Sequence, residues 1–227
     1  MNFTNGKFEI FKNIYFSLNL SILLEKSYNE NMINIIYIHG FRSGGRGGKY
    51  DRLKRRFRRG FYILSPSFSD RVSSARKELH GLMRENSITP GEKTVVIGTS
   101  LGGFYSYYLS VLYDLRSVLI NPVLNPSEHM KRYINKKQKN FRSGREFTFT
   151  RKDIDELKSM ETEIEEKISQ GIKMKTFVVV GKKDNVINKK IVEEKFKNIL
   201  YMDEGHEFNE HFDELISMKG FRDFVML

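Results

Sequence analysis

A serine lies between glycines in Gly98-Thr99-Ser100-Leu101-Gly102, and the segments on either side of this pentapeptide indicate how the chain folds. The apolar residues 93–97 predict a short buried strand, and residues 103–112 suit a helix. A G-x-S-x-G sequence at a strand-to-helix junction is typical of a nucleophile elbow, a sharp turn that holds the serine in strained backbone geometry above the sheet. The pentapeptide alone also fits an ordinary glycine-rich turn, and its flanking segments favour the elbow.

Strand-like and helix-like segments alternate along the chain, which favours an α/β fold with a mostly parallel central sheet and helices on both faces. With 227 residues, the chain is most simply one domain, residues 1–227, whose first 31 residues form an N-terminal extension. An edge strand or hairpin is expected at residues 8–19, and Asp70 is predicted to cap a helix that ends near Glu85. The predicted strands of the sheet are residues 33–38, 61–65, 93–97, 117–120, 175–180 and 198–202.

More than fifty residues separate the strand that ends at Ile120 from the next strand, which is long for one crossover. Residues 126–150 of this segment are basic and predicted to be irregular, and residues 151–171 predict an acidic helix. We therefore expect an insertion over about residues 123–171 that covers the elbow as a lid. The last predicted helix is amphipathic and spans about residues 210–218.

The positive charge of the chain is concentrated in two segments. The formal net charge is +11, yet residues 42–59 alone contain nine lysines and arginines and a single aspartate. Residues 131–145 contain seven lysines and arginines and no acidic residue. Two such patches indicate an anionic partner, while solvated faces that keep the protein soluble explain them equally well.

Several classes of protein are excluded by composition and motifs. The chain has no cysteine, so it has no disulfide, no thiol nucleophile and no cysteine-based metal site. The N-terminus does not resemble a signal peptide and no apolar run is long enough to span a membrane, so we expect a cytoplasmic protein. Because no H-E-x-x-H motif or cluster of metal ligands is present, we predict neither a metal nor a cofactor.

A serine at an elbow needs a histidine base and a carboxylate that orients the histidine. His206 follows the last predicted strand and is therefore expected at the same edge of the sheet as Ser100, whereas His129 falls in the insertion and His211 on a helix surface. Asp184 follows the strand at residues 175–180 and is the predicted acid. Its rival, Asp203, is too close to His206 along the chain for the usual geometry.

Two backbone N–H groups are required to bind a developing oxyanion. We assign them to Leu101, which follows the serine, and to Phe41, in the loop after the strand at residues 33–38. His39 in the same loop is expected to orient it rather than to act as a base. The further candidates for contact with substrate are His39, Arg42 and Asn121.

The motifs occur in the order found in YqiA-like bacterial esterases, and over about residues 32–220 the chain resembles that family. They are His39-Gly40-Phe41, Gly98 to Tyr105, the Asn121-Pro122 strand end, Gly181-x-x-Asp184 and Glu204-Gly205-His206-Glu207-Phe208. The resemblance implies an α/β-hydrolase fold and hydrolysis of carboxyl esters or thioesters by Ser100, Asp184 and His206. The N-terminal 31 residues and the basic segment at residues 131–145 depart from the family pattern.

The predicted substrate is a small acyl ester or thioester, and the basic segments favour one with an anionic portion, such as an acyl-CoA or a phosphorylated ester. A thioesterase, a lidded lipase-like enzyme and an amidase stay open. The alternative of another class is a hydrolase-like scaffold that binds nucleic acid or an anionic surface. The complete Ser, Asp and His set and the absence of a nucleic-acid-binding motif weigh against it.

Overall fold

A six-stranded parallel sheet lies at the centre of the computed structural model, which describes residues 32–91 and 93–227. The spatial order of its strands is β2-β1-β3-β4-β7-β8, and residues 33–227 form one compact unit. The predicted extension and the hairpin at residues 8–19 lie outside the described residues. The strands in chain order are β1 (Ile33–Ile38), β2 (Phe61–Leu64), β3 (Thr94–Thr99), β4 (Arg116–Ile120), β5 (Lys137–Lys139), β6 (Glu146–Thr148), β7 (Lys175–Gly181) and β8 (Ile199–Met202).

Helices cover both faces of the sheet, as the alternating pattern predicts. Successive side chains of a strand point to opposite faces, so Ile36 of β1 and Val96 of β3 pack on one face while Ile35 and Val95 pack on the other. The first face is covered by α2, α3 and α5, and the second by α1, α7 and α8. The helices in chain order are α1 (Gly48–Arg56), α2 (Val72–Glu85), α3 (Leu101–Leu112), α4 (Pro126–His129), α5 (Arg151–Ser169), α6 (Lys189–Lys195), α7 (Phe212–Ser217) and α8 (Lys219–Met226).

Two predictions about secondary structure are wrong. Residues 126–150 are not irregular, since they form α4, a 3₁₀ turn at Met130–Tyr133 and an antiparallel hairpin of β5 and β6. The strands of this hairpin have three residues each, too few for a periodic pattern. The single predicted C-terminal helix is two helices, α7 and α8, because the chain turns at Met218, where ψ is 138°. Both helices bury apolar residues against the sheet.

The N-terminus of α2 is capped by the insertion and not by Asp70. The helix begins at Val72, whose N–H donates to Oδ1 of Asp153 over 3.0 Å. Oδ2 of the same buried carboxylate accepts from the N–H and the hydroxyl of Thr150, both at 2.8 Å, and lies 3.2 Å from the Arg71 guanidinium. Asp70 instead accepts a hydrogen bond from the Asn140 side chain. Asp153 thus joins α2 to the start of α5.

We predict that Asp153→Ala lowers the free energy of unfolding by about 2 kcal/mol, because it leaves the N–H groups of Val72 and Thr150 without their acceptor. Urea denaturation measures this change. Asp155→Ala is the matched control, since Asp155 is exposed on the same helix, and we expect it to change the free energy of unfolding by less than about 0.5 kcal/mol. Equal effects of the two substitutions would contradict the double-capping role of Asp153.

Candidate active site

Ser100 occupies the turn between β3 and α3 with a backbone that L-residues rarely adopt. Its φ is 59° and its ψ is −123°, and α3 begins at the next residue. The close packing of this turn requires the flanking glycines: a Cβ on Gly98 would overlap the carbonyl of Gly102, and one on Gly102 would overlap the carbonyl of Ile38. This local geometry is that of a nucleophile elbow.

Neighbouring strands and loops hold the strained turn in place. The Ser100 N–H donates to the carbonyl of Ile120 at the end of β4 over 3.0 Å. The Ser100 carbonyl accepts from the N–H groups of Gly103 at 2.9 Å and Val123 at 3.2 Å. Because the backbone is bonded on both sides, the position of the serine hydroxyl depends on the sheet itself.

The side chains of Ser100, His206 and Asp184 form a continuous hydrogen-bonded chain. The distance from Ser100 Oγ to His206 Nε2 is 2.9 Å, and the distance from His206 Nδ1 to Asp184 Oδ2 is 2.8 Å. These three residues follow β3, β8 and β7, respectively, at one edge of the sheet. The rival acid, Asp203, is exposed and pairs with Lys183 at 2.9 Å. The structure therefore brings together the three residues that the sequence analysis selects.

Asp184 is held in its ionised form. Its side chain is fully buried, and burial acts to raise its pKa. Hydrogen bonds to the carboxylate act in the opposite direction: His206 contacts Oδ2, while the N–H groups of Val186 at 2.7 Å and Ile187 at 3.2 Å donate to Oδ1. The net result is a pKa below the ordinary value of an aspartate, so a negative charge stays beside the imidazole ring.

Asn121, a predicted substrate contact, holds the loop that carries His206. The side chain is fully buried, and its Nδ2 donates to the carbonyls of Gly205 at 2.9 Å and His206 at 3.0 Å. Its Oδ1 accepts from the N–H of Gly181 at 2.7 Å. With φ at 45°, Asn121 adopts the left-handed conformation that asparagine tolerates better than most residues. One side chain thus ties β4 to β7 and to the loop after β8.

A second contact between a carboxylate and a histidine supports the His206 loop, and the sequence did not predict it. Glu204 is buried, and its Oε1 accepts from the backbone N–H of His211 and lies 3.3 Å from His211 Nδ1. Burial acts to raise the pKa of Glu204, but hydrogen bonds from His211 and Gly205 lower it below the ordinary value. His211 is therefore not a free surface histidine. Glu204 is part of the Glu204-Gly205-His206 motif, but its contact with His211 becomes visible only in the folded loop.

Several cations of the basic segment at residues 42–59 donate hydrogen bonds within the protein. The cations of α1 donate to main-chain carbonyls of the C-terminal segment: Lys49 to Glu207 at 2.6 Å, Arg52 to Asn209 at 2.5 Å and Arg56 to Ile216 at 3.4 Å. Burial lowers the pKa of Lys49 to about 8. These cations brace the chain that follows His206.

The two basic segments also contact each other. The Phe141 N–H donates to the Arg42 carbonyl at 2.8 Å, Asn140 Nδ2 donates to the Ser43 carbonyl at 2.8 Å, and Arg142 Nη2 donates to the Arg46 carbonyl at 2.6 Å. The turn of the β5–β6 hairpin therefore packs on the loop that follows β1.

A cavity of about 330 Å³ opens beside Ser100 and His206. Phe41 and Leu101, the two predicted oxyanion donors, line it. Within residues 32–91 and 93–227, neither of their backbone N–H groups donates to a protein acceptor. A larger groove of about 610 Å³ lies between α1 and β2 and includes none of these four residues.

Arg42, a candidate for contact with substrate, lines this cavity, whereas His39 does not. The guanidinium of Arg42 lies 4.7 Å from the ring centre of Phe141, and its Nη1 donates to Gln138 at 3.2 Å. The ring of His39 is buried, stacks on Phe68 at 4.0 Å and has its Nδ1 2.9 Å from the Gly40 carbonyl. His39 therefore orders the loop, and its contact with substrate stays a prediction.

The insertion supplies part of the cavity wall. Five of its residues line the cavity: Val123, His129, Met130, Tyr133 and Phe141. This contact is consistent with an insertion above the elbow, and its movement as a lid stays a prediction.

Two further properties concern the described part of the chain. Among these residues no group of three or more histidine, aspartate or glutamate side chains is arranged to hold a metal ion. None of their helices combines the length and apolar character of a membrane span.

Solved structures with a similar fold include several esterases. One comes from a study of the metagenome-derived lipolytic enzymes LipS and LipT, with a TM-score of 0.63, 15% identity and coverage of 86% of this chain and 94% of that one. Est1E from Butyrivibrio proteoclasticus with bound ferulic acid has a TM-score of 0.62 at 14% identity, covering 86% and 88% of the two chains. Mouse α/β hydrolase domain-containing protein 10 has a TM-score of 0.55 at 13% identity, with coverage of 81% of this chain and 86% of that one. The fold is therefore that of the α/β-hydrolases.

One of the sequence relatives extends over most of the chain, and others match less than half of it. A protein of Serratia proteamaculans, named a UPF0227 protein, is 23% identical over 199 residues, which cover 83% of this chain and 98% of that protein. A UPF0227 protein of Shewanella woodyi is 29% identical over 97 residues, 42% of this chain and 54% of its own length. The model of the uncharacterised protein family UPF0227 matches residues 34–223. The resemblance to the YqiA-like group is thereby confirmed, and the chain belongs to the UPF0227 family.

Proposed function

We propose that the protein is a serine hydrolase that cleaves carboxyl esters, including thioesters, through an acyl-enzyme on Ser100. The observation that supports this most directly is the hydrogen-bonded chain from Ser100 Oγ through His206 to Asp184, with distances of 2.9 and 2.8 Å. The names of the structural neighbours point the same way, because they include lipolytic enzymes and an esterase with bound ferulic acid. The proposed reaction uses no cofactor and no metal.

In the first half of the reaction, Ser100 Oγ attacks the carbonyl carbon of the ester. His206 Nε2 takes the hydroxyl proton as the Oγ–C bond forms, and Asp184 stabilises the resulting imidazolium. The carbonyl oxygen becomes an oxyanion that accepts hydrogen bonds from the N–H groups of Phe41 and Leu101. When the bond to the alcohol or thiol breaks, His206 returns the proton to the leaving group, and the acyl group stays on Ser100.

In the second half, water replaces the leaving group. His206 takes a proton from the water molecule, whose oxygen attacks the acyl carbon, and the same two N–H groups bind the second oxyanion. The bond to Ser100 Oγ then breaks, Oγ regains its proton from His206, and the carboxylic acid leaves. Asp184 holds the Nδ1–H tautomer in both halves, because its ionised carboxylate accepts that proton's hydrogen bond.

The alternative role as a binding scaffold loses much of its support. It was motivated by the two basic segments, but Lys49, Arg52 and Arg56 donate to carbonyls of the same chain, and Arg142 donates to the Arg46 carbonyl. These cations therefore have a structural role without nucleic acid or a membrane surface.

We predict that Ser100→Ala and Asp184→Asn each lower kcat/KM for p-nitrophenyl butyrate by roughly 10⁴-fold, since one removes the nucleophile and the other the tautomer control. Release of p-nitrophenol measures this. Asp203→Asn is the matched control: its exposed pair with Lys183 contributes little, and kcat/KM is expected to stay within about twofold of wild type. Hydrolysis that survives Ser100→Ala, or a loss of activity in Asp203→Asn comparable to that in Asp184→Asn, would contradict the proposal.

Asn121→Gly tests how the catalytic histidine is positioned. Glycine accepts the φ of 45° without strain but removes the three hydrogen bonds of the side chain. We expect kcat to fall on the order of 10²-fold with KM little changed, because the loop that holds His206 loses its anchor while the cavity wall stays. Wild-type kcat in Asn121→Gly would show that the anchor is unnecessary. Asn121→Ala removes the same hydrogen bonds but adds backbone strain, so a loss that occurs only in Asn121→Ala reflects stability and not the positioning of His206.

We still expect the enzyme to prefer a substrate with an anionic portion, because two cations of the basic segment, Arg42 and Lys49, line the cavity. Glu207 lines it as well and partly offsets their charge. For two esters of equal acyl length, one anionic and one neutral, we expect kcat/KM of the anionic ester alone to fall as ionic strength rises. Identical responses to salt would contradict the preference.

A further inference from the structure

A second histidine faces the cavity that contains His206. His129 ends α4 in the insertion, is half-buried, and lines the same cavity as Ser100. It takes no part in the hydrogen-bonded chain of Ser100, His206 and Asp184. Its role is therefore not explained by the reaction steps proposed above.

The tautomer of His129 is fixed by Arg132. Arg132 Nε donates to the backbone carbonyl of His129 over 2.9 Å, which holds the guanidinium against the same residue. Arg132 Nη2 lies 3.2 Å from His129 Nδ1. A guanidinium has no acceptor and stays protonated, so Nδ1 must be the acceptor and carry no proton. The single proton of the neutral ring is consequently on Nε2.

The free nitrogen of this ring is available to a ligand. In the part of the chain that the structure describes, Nε2 of His129 has no hydrogen-bond partner. The atom is not buried, so a ligand can reach it. The ring therefore presents an unpaired N–H donor in a cavity whose wall it forms.

The ring also stays neutral next to an active site that cycles through a charged histidine. Burial lowers the pKa of His129 to about 4, with help from the nearby charges of Arg132 and His206, while Asp184 acts weakly in the opposite direction. A neutral His129 does not repel the imidazolium that forms on His206 during acyl transfer, and it does not compete with His206 for the serine proton.

We propose that His129 orients the substrate: its Nε2–H donates a hydrogen bond to an acceptor oxygen that the ester carries close to, but outside, its scissile group. This inference rests on the proposed ester hydrolysis and adds a substrate class to it, namely oxygen-substituted esters such as alkoxy, hydroxy or keto esters. A cavity with a fixed donor binds such a ligand better than its all-carbon analogue, because the bound analogue shields the N–H from water and leaves it unpaired.

Matched esters that differ by one oxygen test this directly. p-Nitrophenyl methoxyacetate and p-nitrophenyl butyrate differ in the acyl portion, and 2-methoxyethyl butyrate and butyl butyrate differ in the alcohol portion. For each pair, the ratio of kcat/KM for the ether ester to that for its carbon analogue is compared between wild type and variants. The difference in intrinsic reactivity cancels in this comparison.

We expect His129→Phe to lower this ratio about three- to tenfold for at least one pair, the worth of one hydrogen bond. His80→Phe is the matched control, because it makes the same change at a half-buried histidine that does not line this cavity and bonds to Tyr108 and Tyr113, and the ratios are expected to stay at the wild-type value. If His129→Phe changes the ratio by less than about twofold for both pairs, the inference is overturned, because the change is smaller than one hydrogen bond produces.

Nitrogen-15 NMR of the histidine rings gives a second readout that does not depend on hydrolysis. The His129 signals, identified by their loss in His129→Phe, should show a protonated Nε2 and an unprotonated Nδ1 at neutral pH. In Arg132→Met the pKa of His129 should rise toward its ordinary value. A proton on Nδ1 in the wild type would overturn the assignment even if His129→Phe folds poorly.

The two proposals fail in different ways. If the wild-type protein hydrolyses none of the four esters, the proposed function fails, and the orienting role falls with it. If the protein hydrolyses the esters but the ratios do not respond to His129→Phe, the orienting role alone is overturned.

Discussion

Parallel strands end at the same edge of a sheet, and the whole candidate site depends on this constraint. Ser100, Asp184 and His206 each follow a different parallel strand, so the sheet brings together residues that are up to 106 positions apart. Asn121, at the end of a fourth strand, bonds to the loops beside two of the others. The strained φ of 59° at Ser100 persists because Ile120 and neighbouring loops bond its backbone on both sides.

Local sequence predicted the parts of the site that local geometry controls. The elbow needs glycine at residues 98 and 102 for close packing, and that requirement is visible in the pentapeptide. Position after a strand was enough to select His206 over His129 and His211, because the carboxyl ends of the strands meet at the serine. Asp203 also follows a strand and was set aside because it is too close to His206 along the chain, and the structure pairs it with Lys183. The alternation of strand-like and helix-like segments predicted helices on both faces of the sheet.

Contacts between distant segments could not be predicted in this way. Asp153 caps α2 from 81 residues away, so the nearer Asp70 was chosen wrongly. Asn121 was named as a candidate for contact with substrate, and only the fold reveals that its amide bonds to the His206 loop. The charge of α1 suggested an external anion, yet Lys49 and Arg52 donate to carbonyls about 160 residues further along the chain. Such pairings depend on tertiary structure and leave no periodic signal.

The central claim is that Ser100 is the nucleophile, and mapping a fluorophosphonate adduct tests it most directly. The full-length protein is treated with the probe, its mass is measured, and the modified peptide is sequenced. The account predicts one phosphonyl group per chain, attached to Ser100, because His206 and Asp184 activate only that hydroxyl. An adduct on another residue, or an unmodified protein that still hydrolyses esters, would contradict it.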